Sequence, residues 1–149
     1  ATATITVADG DAASGMAEKE SVVITATDGT VGTYVICDDD KTTVATGDVL
    51  AAGSDTGTST AGSGLAGGIA VTIDLTGTPV TQNAFLVQLK TAVEHANSPL
   101  NGKVTVSTPP GAADGNQAVT LTQVEPGPDG NVTITDDISQ TTIAGFTGG

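Results

Sequence analysis

Residues 21–37 read SVVITATDGTVGTYVIC, two runs of β-branched and apolar residues on either side of the pair Asp28-Gly29. Valine, isoleucine and threonine fit a pleated sheet because their branched side chains are stiff at the first torsion. An Asp-Gly pair between two such runs is a strong signal of a hairpin, since glycine readily adopts the positive φ that a tight turn requires. The segment therefore predicts two antiparallel strands, residues 21–27 and 33–37, joined by a tight turn.

Similar strand patterns recur on both sides of this hairpin. Threonine and apolar residues alternate at residues 2–7, 69–75, 103–107, 118–124, 131–135 and 141–146. Alternation of this kind is typical of strands that bury one face. Short strands at regular spacing predict a mainly β fold of the β-sandwich type.

One segment changes its period and predicts a helix over about residues 81–97. Its apolar residues recur at helical spacing: Phe85, Leu86, Leu89, Ala92, Val93 and Ala96. Thr81 is a suitable N-cap, and Pro99 disfavours helical backbone in the residue before it. We expect this helix to cover the β-sandwich, with an α+β arrangement as the alternative.

Residues 47–68 interrupt the strand pattern and are rich in glycine, serine and threonine. Such a composition is typical of a flexible linker, and loops of this length are uncommon unless they have a function. We therefore expect a single β-rich domain over residues 1–149 that carries this insertion. A neighbouring subunit is the simplest structure that could hold the insertion in place.

The charge of the chain excludes several classes of partner. The net charge of the 149 residues is −13, with 17 acidic residues and only four basic ones, all lysine. Nucleic acids and anionic membrane surfaces both require a basic surface. No stretch is long and apolar enough to span a bilayer, so we expect neither nucleic-acid binding nor membrane insertion.

Few residues could carry catalysis. The single cysteine, Cys37, lies in a strand pattern and is expected to be a small buried apolar residue, with a bridge between subunits as the alternative. The single histidine, His95, is expected near the C-terminal end of the helix, where a cationic side chain is favourable. Neither residue lies in a pattern that pairs a nucleophile with a base, so the sequence predicts a protein that is not an enzyme.

Acidic residues in predicted turns are the candidate ligands for a metal. They are Asp38, Asp39, Asp40, Asp136 and Asp137. Calcium binds carboxylate oxygens, so these residues could form a Ca²⁺ site. The alternative is that they are solvated turn residues whose side chains accept hydrogen bonds from nearby backbone amides. The sequence predicts no other cofactor.

Several segments resemble a module of bacteriophage and marine viral structural proteins. They are ATATITVAD at residues 1–9, KE at 19–20, QNAFLVQLK at 82–90, EHAN at 94–97, NQAVTLTQ at 116–123, GNVTIT at 130–135 and FTGG at 146–149. The resemblance implies a structural subunit of a virion, in a tail, a fibre or a capsid decoration. It also implies copies of the same chain or other virion subunits as partners and a virion or extracellular location. No catalytic residue carries over.

Two other functions remain open at this point. Acidic β-rich chains also form bacterial extracellular filaments and surface layers, where self-assembly is again the activity. A polysaccharide-binding module is the second alternative. Such modules rely on aromatic platforms, and the chain has only one tyrosine, two phenylalanines and no tryptophan.

Overall fold

The computed structural model describes residues 1–8, 16–39, 44–51, 66–75, 82–111 and 115–149. These residues form eight strands and one α-helix, named here in chain order. They are β1 (Thr2–Val7), β2 (Ser21–Thr25), β3 (Val31–Asp38), β4 (Ile69–Ile73), α1 (Gln82–Val93), β5 (Val104–Val106), β6 (Gln117–Gln123), β7 (Ile134–Asp136) and β8 (Thr141–Thr147). The predicted strands and the predicted helix are therefore present, although their ends differ by a few residues. The predicted N-cap, Thr81, lies outside the described residues.

The strands form two sheets of four. Sheet A has the order β5-β6-β1-β8 and sheet B has the order β4-β3-β2-β7. The molecule is thus mostly β with one helix, as the sequence predicts. All pairs are antiparallel except β3 and β4, which run parallel. This parallel pair was not predicted, and the long connection over residues 39–68 makes it possible, because parallel neighbours need a crossover of about a dozen residues or more.

The hairpin of β2 and β3 forms as the sequence predicts. Its turn is closed by the amide of Ala26, which donates to the Thr30 carbonyl at 2.8 Å. Gly29 takes a positive φ of 83°, the conformation for which glycine is favoured. The Asp28 carboxylate accepts the Thr30 amide at 2.9 Å, so the acidic residue also stabilises the turn.

The core lies between the two sheets and continues onto helix α1. The helix contacts β3 and β4 of sheet B as well as β5 and β6 of sheet A, so it packs against both sheets. Its buried apolar residues are Phe85, Leu86, Leu89, Ala92 and Val93. Ala96 was also expected to be buried but is exposed, because the helix ends at Val93. The amide of His95 then bonds to the Ala92 carbonyl, three residues back, and the tightened turn rotates Ala96 outwards.

Two charged side chains of α1 bind the backbone of edge strand β5. Lys90 and Glu94 pair at 2.8 Å on successive turns of the helix. Glu94 accepts the Val106 amide at 2.8 Å, and the Lys90 ammonium donates to the Val106 carbonyl at 2.6 Å. The unpaired backbone amides and carbonyls of an edge strand are a template for pairing with another chain. At Val106 the ion pair binds both of these backbone groups.

The ends of the predicted insertion pack on sheet B of the same chain. Leu50 exchanges backbone hydrogen bonds with Gly67 and Gly68 at 2.7 and 2.8 Å, and the Gly47 amide donates to Ala70 of β4 at 2.9 Å. The Leu50 side chain is buried against Val35, Cys37 and Ala70, on the side of sheet B away from the main core. Residues 44–51 therefore cover the edge of β4, while residues 52–65 of the insertion lie outside the described residues.

Strands β1 and β8 bring the two ends of the chain together. Thr2 pairs with Thr147 in the antiparallel ladder, and the register shifts between Thr2 and Thr4. The outer side of β8 receives two local contacts. The Thr141 amide donates to Ile138 at 3.1 Å, and the Phe146 amide donates to Val132 at 3.1 Å.

Candidate functional site

An acidic cluster forms where β3 and β4 end. Asp38 is the last residue of β3, Asp39 follows it, and Asp74 follows β4. Parallel strands place their carboxyl ends at the same edge, and the Asp39 amide accordingly bonds to the carbonyl of Ile73 at 2.9 Å. One carboxylate oxygen from each of the three residues lies within 4.8 Å of the others. Asp38 is buried whereas Asp39 and Asp74 are exposed, so the cluster opens to solvent on one side.

This cluster is the group of carboxylates in the described part of the chain that could hold a metal ion. Calcium takes six to eight oxygen ligands, about 2.3–2.6 Å away, and three carboxylates can supply part of that shell. Asp38 and Asp39 were predicted as candidate ligands, whereas Asp40 lies outside the described residues. Asp74 was missed because its only signal is the parallel pairing of β3 with β4, which the sequence pattern does not reveal.

The other predicted pair, Asp136 and Asp137, does not belong to this cluster. Asp137 accepts the Ser21 amide at 2.5 Å, and Asp136 accepts the hydroxyl hydrogen of Thr141. Partial burial and then the negative charge of Asp137 raise the pKa of Asp136. Both side chains thus satisfy neighbouring polar groups at strand ends, which matches the turn-capping alternative.

Cys37 and His95 have separate structural environments. Cys37 is fully buried, as predicted, and burial together with the charge of Glu18 raises the pKa of its thiol to about 11. A buried, protonated thiol is inert, so the alternative of a bridge between subunits is not supported. The imidazole of His95 packs over Gly47, where a Cβ would lie 2.4 Å from the ring, and its Nδ1 accepts the Asn97 amide at 3.2 Å.

A small cleft lies beside the β2–β3 turn. Its volume is about 170 Å³, and its lining includes Asp28, Lys103 and Val124. Lys103 donates to Asp28 at 2.6 Å and to the hydroxyl of Thr30 at 2.5 Å. The hydrogen bond from Lys103 lowers the pKa of Asp28, so both charges are engaged with each other. Ligand sites usually have volumes of about 300 Å³ or more, so this cleft is small for a ligand. The ion pair between Lys103 and Asp28 stabilises the β2–β3 turn.

The outer face of sheet A is lined by short, uncharged side chains. Residues opposite one another in an antiparallel sheet point to the same side, so the register places one group of short side chains on this face. We call it the threonine face, and it consists of Thr2, Thr4, Thr6, Thr105, Ala118, Thr120, Thr122, Thr142, Ala144 and Thr147. The opposite face of the same strands carries core residues such as Ile5, Val119 and Leu121.

The threonine face carries no charged side chain. None of the residues of β1, β5, β6 and β8 is aspartate, glutamate, lysine or arginine, although the chain as a whole has a net charge of −13. A soluble surface typically has about 25–35% charged residues with both signs mixed. Sequence reasoning identified these strands but not the face, because the order of strands in a sheet decides which threonines become neighbours.

No protein-family model, curated protein or solved structure matches the chain. Within the described residues, no helix combines the length and the apolar character needed to cross a lipid bilayer.

Proposed function

We propose that this chain is a structural subunit of a phage virion, in a tail, a fibre or a capsid decoration, and that it acts through self-assembly rather than catalysis. Its partners are copies of itself or other virion subunits, and its location is the virion or the extracellular space. The resemblance of its strand and helix segments to phage and marine viral modules supports the virion. The surface of sheet A supports assembly.

The observation that carries the proposal is the threonine face. A net charge of −13 favours solubility and opposes association with acidic surfaces. The outer face of sheet B is likewise free of charged strand residues, although residues 44–51 cover part of it. An interface is a physical reason for an uncharged face on so acidic a chain. The depletion of charged residues is the compositional mark of the buried part of protein–protein interfaces.

The positions of the aromatic residues favour assembly over sugar binding. Tyr34, Phe85 and Phe146 are the only aromatic residues of the chain, and each is at most 3% exposed. A polysaccharide-binding module needs aromatic rings at its surface to stack on sugar rings. A bacterial extracellular filament or surface layer remains the second candidate, because the threonine face would serve self-assembly there equally well.

Sedimentation velocity across a concentration series, followed by negative-stain microscopy, tests the proposal. We expect species heavier than the 14.4 kDa monomer whose fraction grows with concentration. A chain that stays monomeric at about 1 mM, where even weak interfaces are populated, would contradict self-assembly. Detection of the chain in purified tailed particles supports the virion, whereas free filaments or sheets from bacterial cells support the second candidate.

A further inference from the structure

We propose that the threonine face binds a second copy of this chain, sheet A against sheet A. This inference rests on the proposed self-assembly and assigns it a contact surface and a partner.

Charge decides which surfaces of two copies can meet. Each copy carries a net charge of −13, so most relative orientations bring like charges together, which is unfavourable. The strands of sheet A contribute no charge to the contact. When two threonine faces meet, the acidic residues of both copies remain outside the interface, where solvent and salt screen them.

The edges of the sheets are less suited to the contact than the face. Val106 of β5 is occupied by Lys90 and Glu94, and the edge of β4 is covered by residues 44–51. The outer side of β8 is occupied at Thr141 and Phe146 by backbone contacts from its own chain. Continuation of a sheet at any of these three edges would have to displace these contacts, whereas face-to-face packing displaces none of them.

The shape of the face also suits packing between sheets. Its side chains are all threonine or alanine, so two faces can approach to about the 10 Å that separates packed sheets. Threonine is stiff at its first torsion, so ordering the side chains costs little entropy. Each hydroxyl can both donate and accept a hydrogen bond, so hydroxyl groups from two copies can pair across the interface.

The size of the face predicts a weak contact for each pair. Strands about 4.8 Å apart and about 3.3 Å per residue give the face a plan area of roughly 300–400 Å². A standard stable interface buries about 800 Å² on each partner. The pairwise contact is therefore expected to be reversible, and a stable assembly requires several contacts acting together.

Other occupants fit the face less well. A basic partner would be drawn to the acidic surface elsewhere on the chain rather than to an uncharged face. A glycan would find no aromatic platform on this face, since all three aromatic residues of the chain are buried. A second copy brings the same uncharged, hydroxyl-rich face and so matches what it meets.

The test compares two substitutions that add the same charge at different places. Thr120 lies on β6 opposite Thr4 in the threonine face, and Thr135 is an exposed strand residue of sheet B. Sedimentation equilibrium of wild type, Thr120→Glu and Thr135→Glu is measured up to about 1 mM, the range suited to a weak interface. We expect wild type and Thr135→Glu to show a species of twice 14.4 kDa, and Thr120→Glu to remain monomeric.

A second face variant, Thr122→Glu, and thermal melting of every protein separate loss of contact from loss of fold. Association of the folded Thr120→Glu and Thr122→Glu proteins at the wild-type level would overturn the inference while leaving self-assembly intact. Loss of association in Thr135→Glu to the same degree would also overturn it, because the effect would then not be specific to the threonine face. A wild type that is monomeric throughout refutes the proposed function itself. Retention of monomeric wild type on insoluble cellulose or chitin, abolished by Thr120→Glu, would assign the face to a glycan instead.

Discussion

The single tyrosine reports whether solvent reaches the core, through the pKa of its phenol. Tyr34 is 1% exposed on β3, and its hydroxyl forms a hydrogen bond of 2.8 Å with Ser98 Oγ. Burial raises the pKa of its phenol from 10.0 to about 12, although the hydrogen bond with Ser98 acts in the opposite direction. The chain has no tryptophan and no second tyrosine, so the ultraviolet absorbance of tyrosinate reports this residue alone.

The raised pKa predicts a loss of stability at alkaline pH. The unfolded chain releases the phenol proton near pH 10, whereas the folded chain holds it until about pH 12. The stabilisation from the buried neutral phenol is complete below pH 10 and is lost as pH rises through 12. One pKa unit corresponds to about 1.4 kcal/mol, so Tyr34 should remove roughly 2.7 kcal/mol from the free energy of unfolding over this window.

The variant Tyr34→Phe isolates this contribution. It loses the hydrogen bond with Ser98, which costs about 1 kcal/mol near neutral pH. It has no phenol to ionise, so its stability should equal that of wild type near pH 11 and exceed it above that, by roughly 1–2 kcal/mol. The control Ser98→Ala keeps the buried phenol without the hydrogen bond and should retain the alkaline loss.

The assay combines a spectrophotometric titration with urea unfolding at several pH values. A titration midpoint near pH 10 in the folded protein would refute the reasoning, because it would mean that solvent reaches the phenol. A constant difference between the free energies of unfolding of wild type and Tyr34→Phe up to pH 12 would refute it independently.

Four further predictions follow from other parts of the molecule. If the acidic cluster binds calcium, millimolar Ca²⁺ will raise the melting temperature of wild type but not of Asp74→Asn, and an unchanged wild-type melt on adding a chelator excludes a structural ion. Gly47→Ala should lower the free energy of unfolding in urea by about 3 kcal/mol, because Gly47 has a φ of 95° and a Cβ there would collide with His95. Gly67→Ala should lower it by only about 1 kcal/mol, because Gly67 has a similar φ of 88° but open space around it. Association through the threonine face should strengthen between 0.05 and about 1 M salt as repulsion is screened, and a salt-weakened complex in sedimentation would instead indicate an ionic interface. Deletion of residues 52–65 should leave the melting curve nearly unchanged, since shortening a loop has little effect on stability and Leu50 keeps its place, and a molten product by circular dichroism would contradict this.

Local signals in the sequence were enough to find the strands and the helix. Asp28-Gly29 specified a turn because its two residues suit that backbone, and the alternation of threonine with apolar residues specified β1 over the same residues that the structure shows. The end of α1 was placed too late because Ala96 continues the helical spacing although the chain has already turned at His95. Periodicity identifies the buried face of a helix but not the residue at which the helix ends.

Long-range pairing explains what the sequence could not predict. Asp74 joins Asp38 and Asp39 only because β3 and β4 are parallel neighbours. The threonine face likewise exists only because β1 lies between β6 and β8. Both features depend on contacts between distant segments, and no local pattern encodes the order of strands in a sheet.

The pairing of Thr2 with Thr147 has a mechanical consequence for a force applied to the chain at these two residues. Thr2 and Thr147 form the last pair at one end of the β1–β8 ladder. A tensile load between them therefore acts across the ladder and opens its hydrogen bonds one after another, starting at Thr2 and Thr147. Strand β1 keeps its pairing with β6 as β8 peels away, so the hydrogen bonds of the β1–β8 ladder break singly rather than all together.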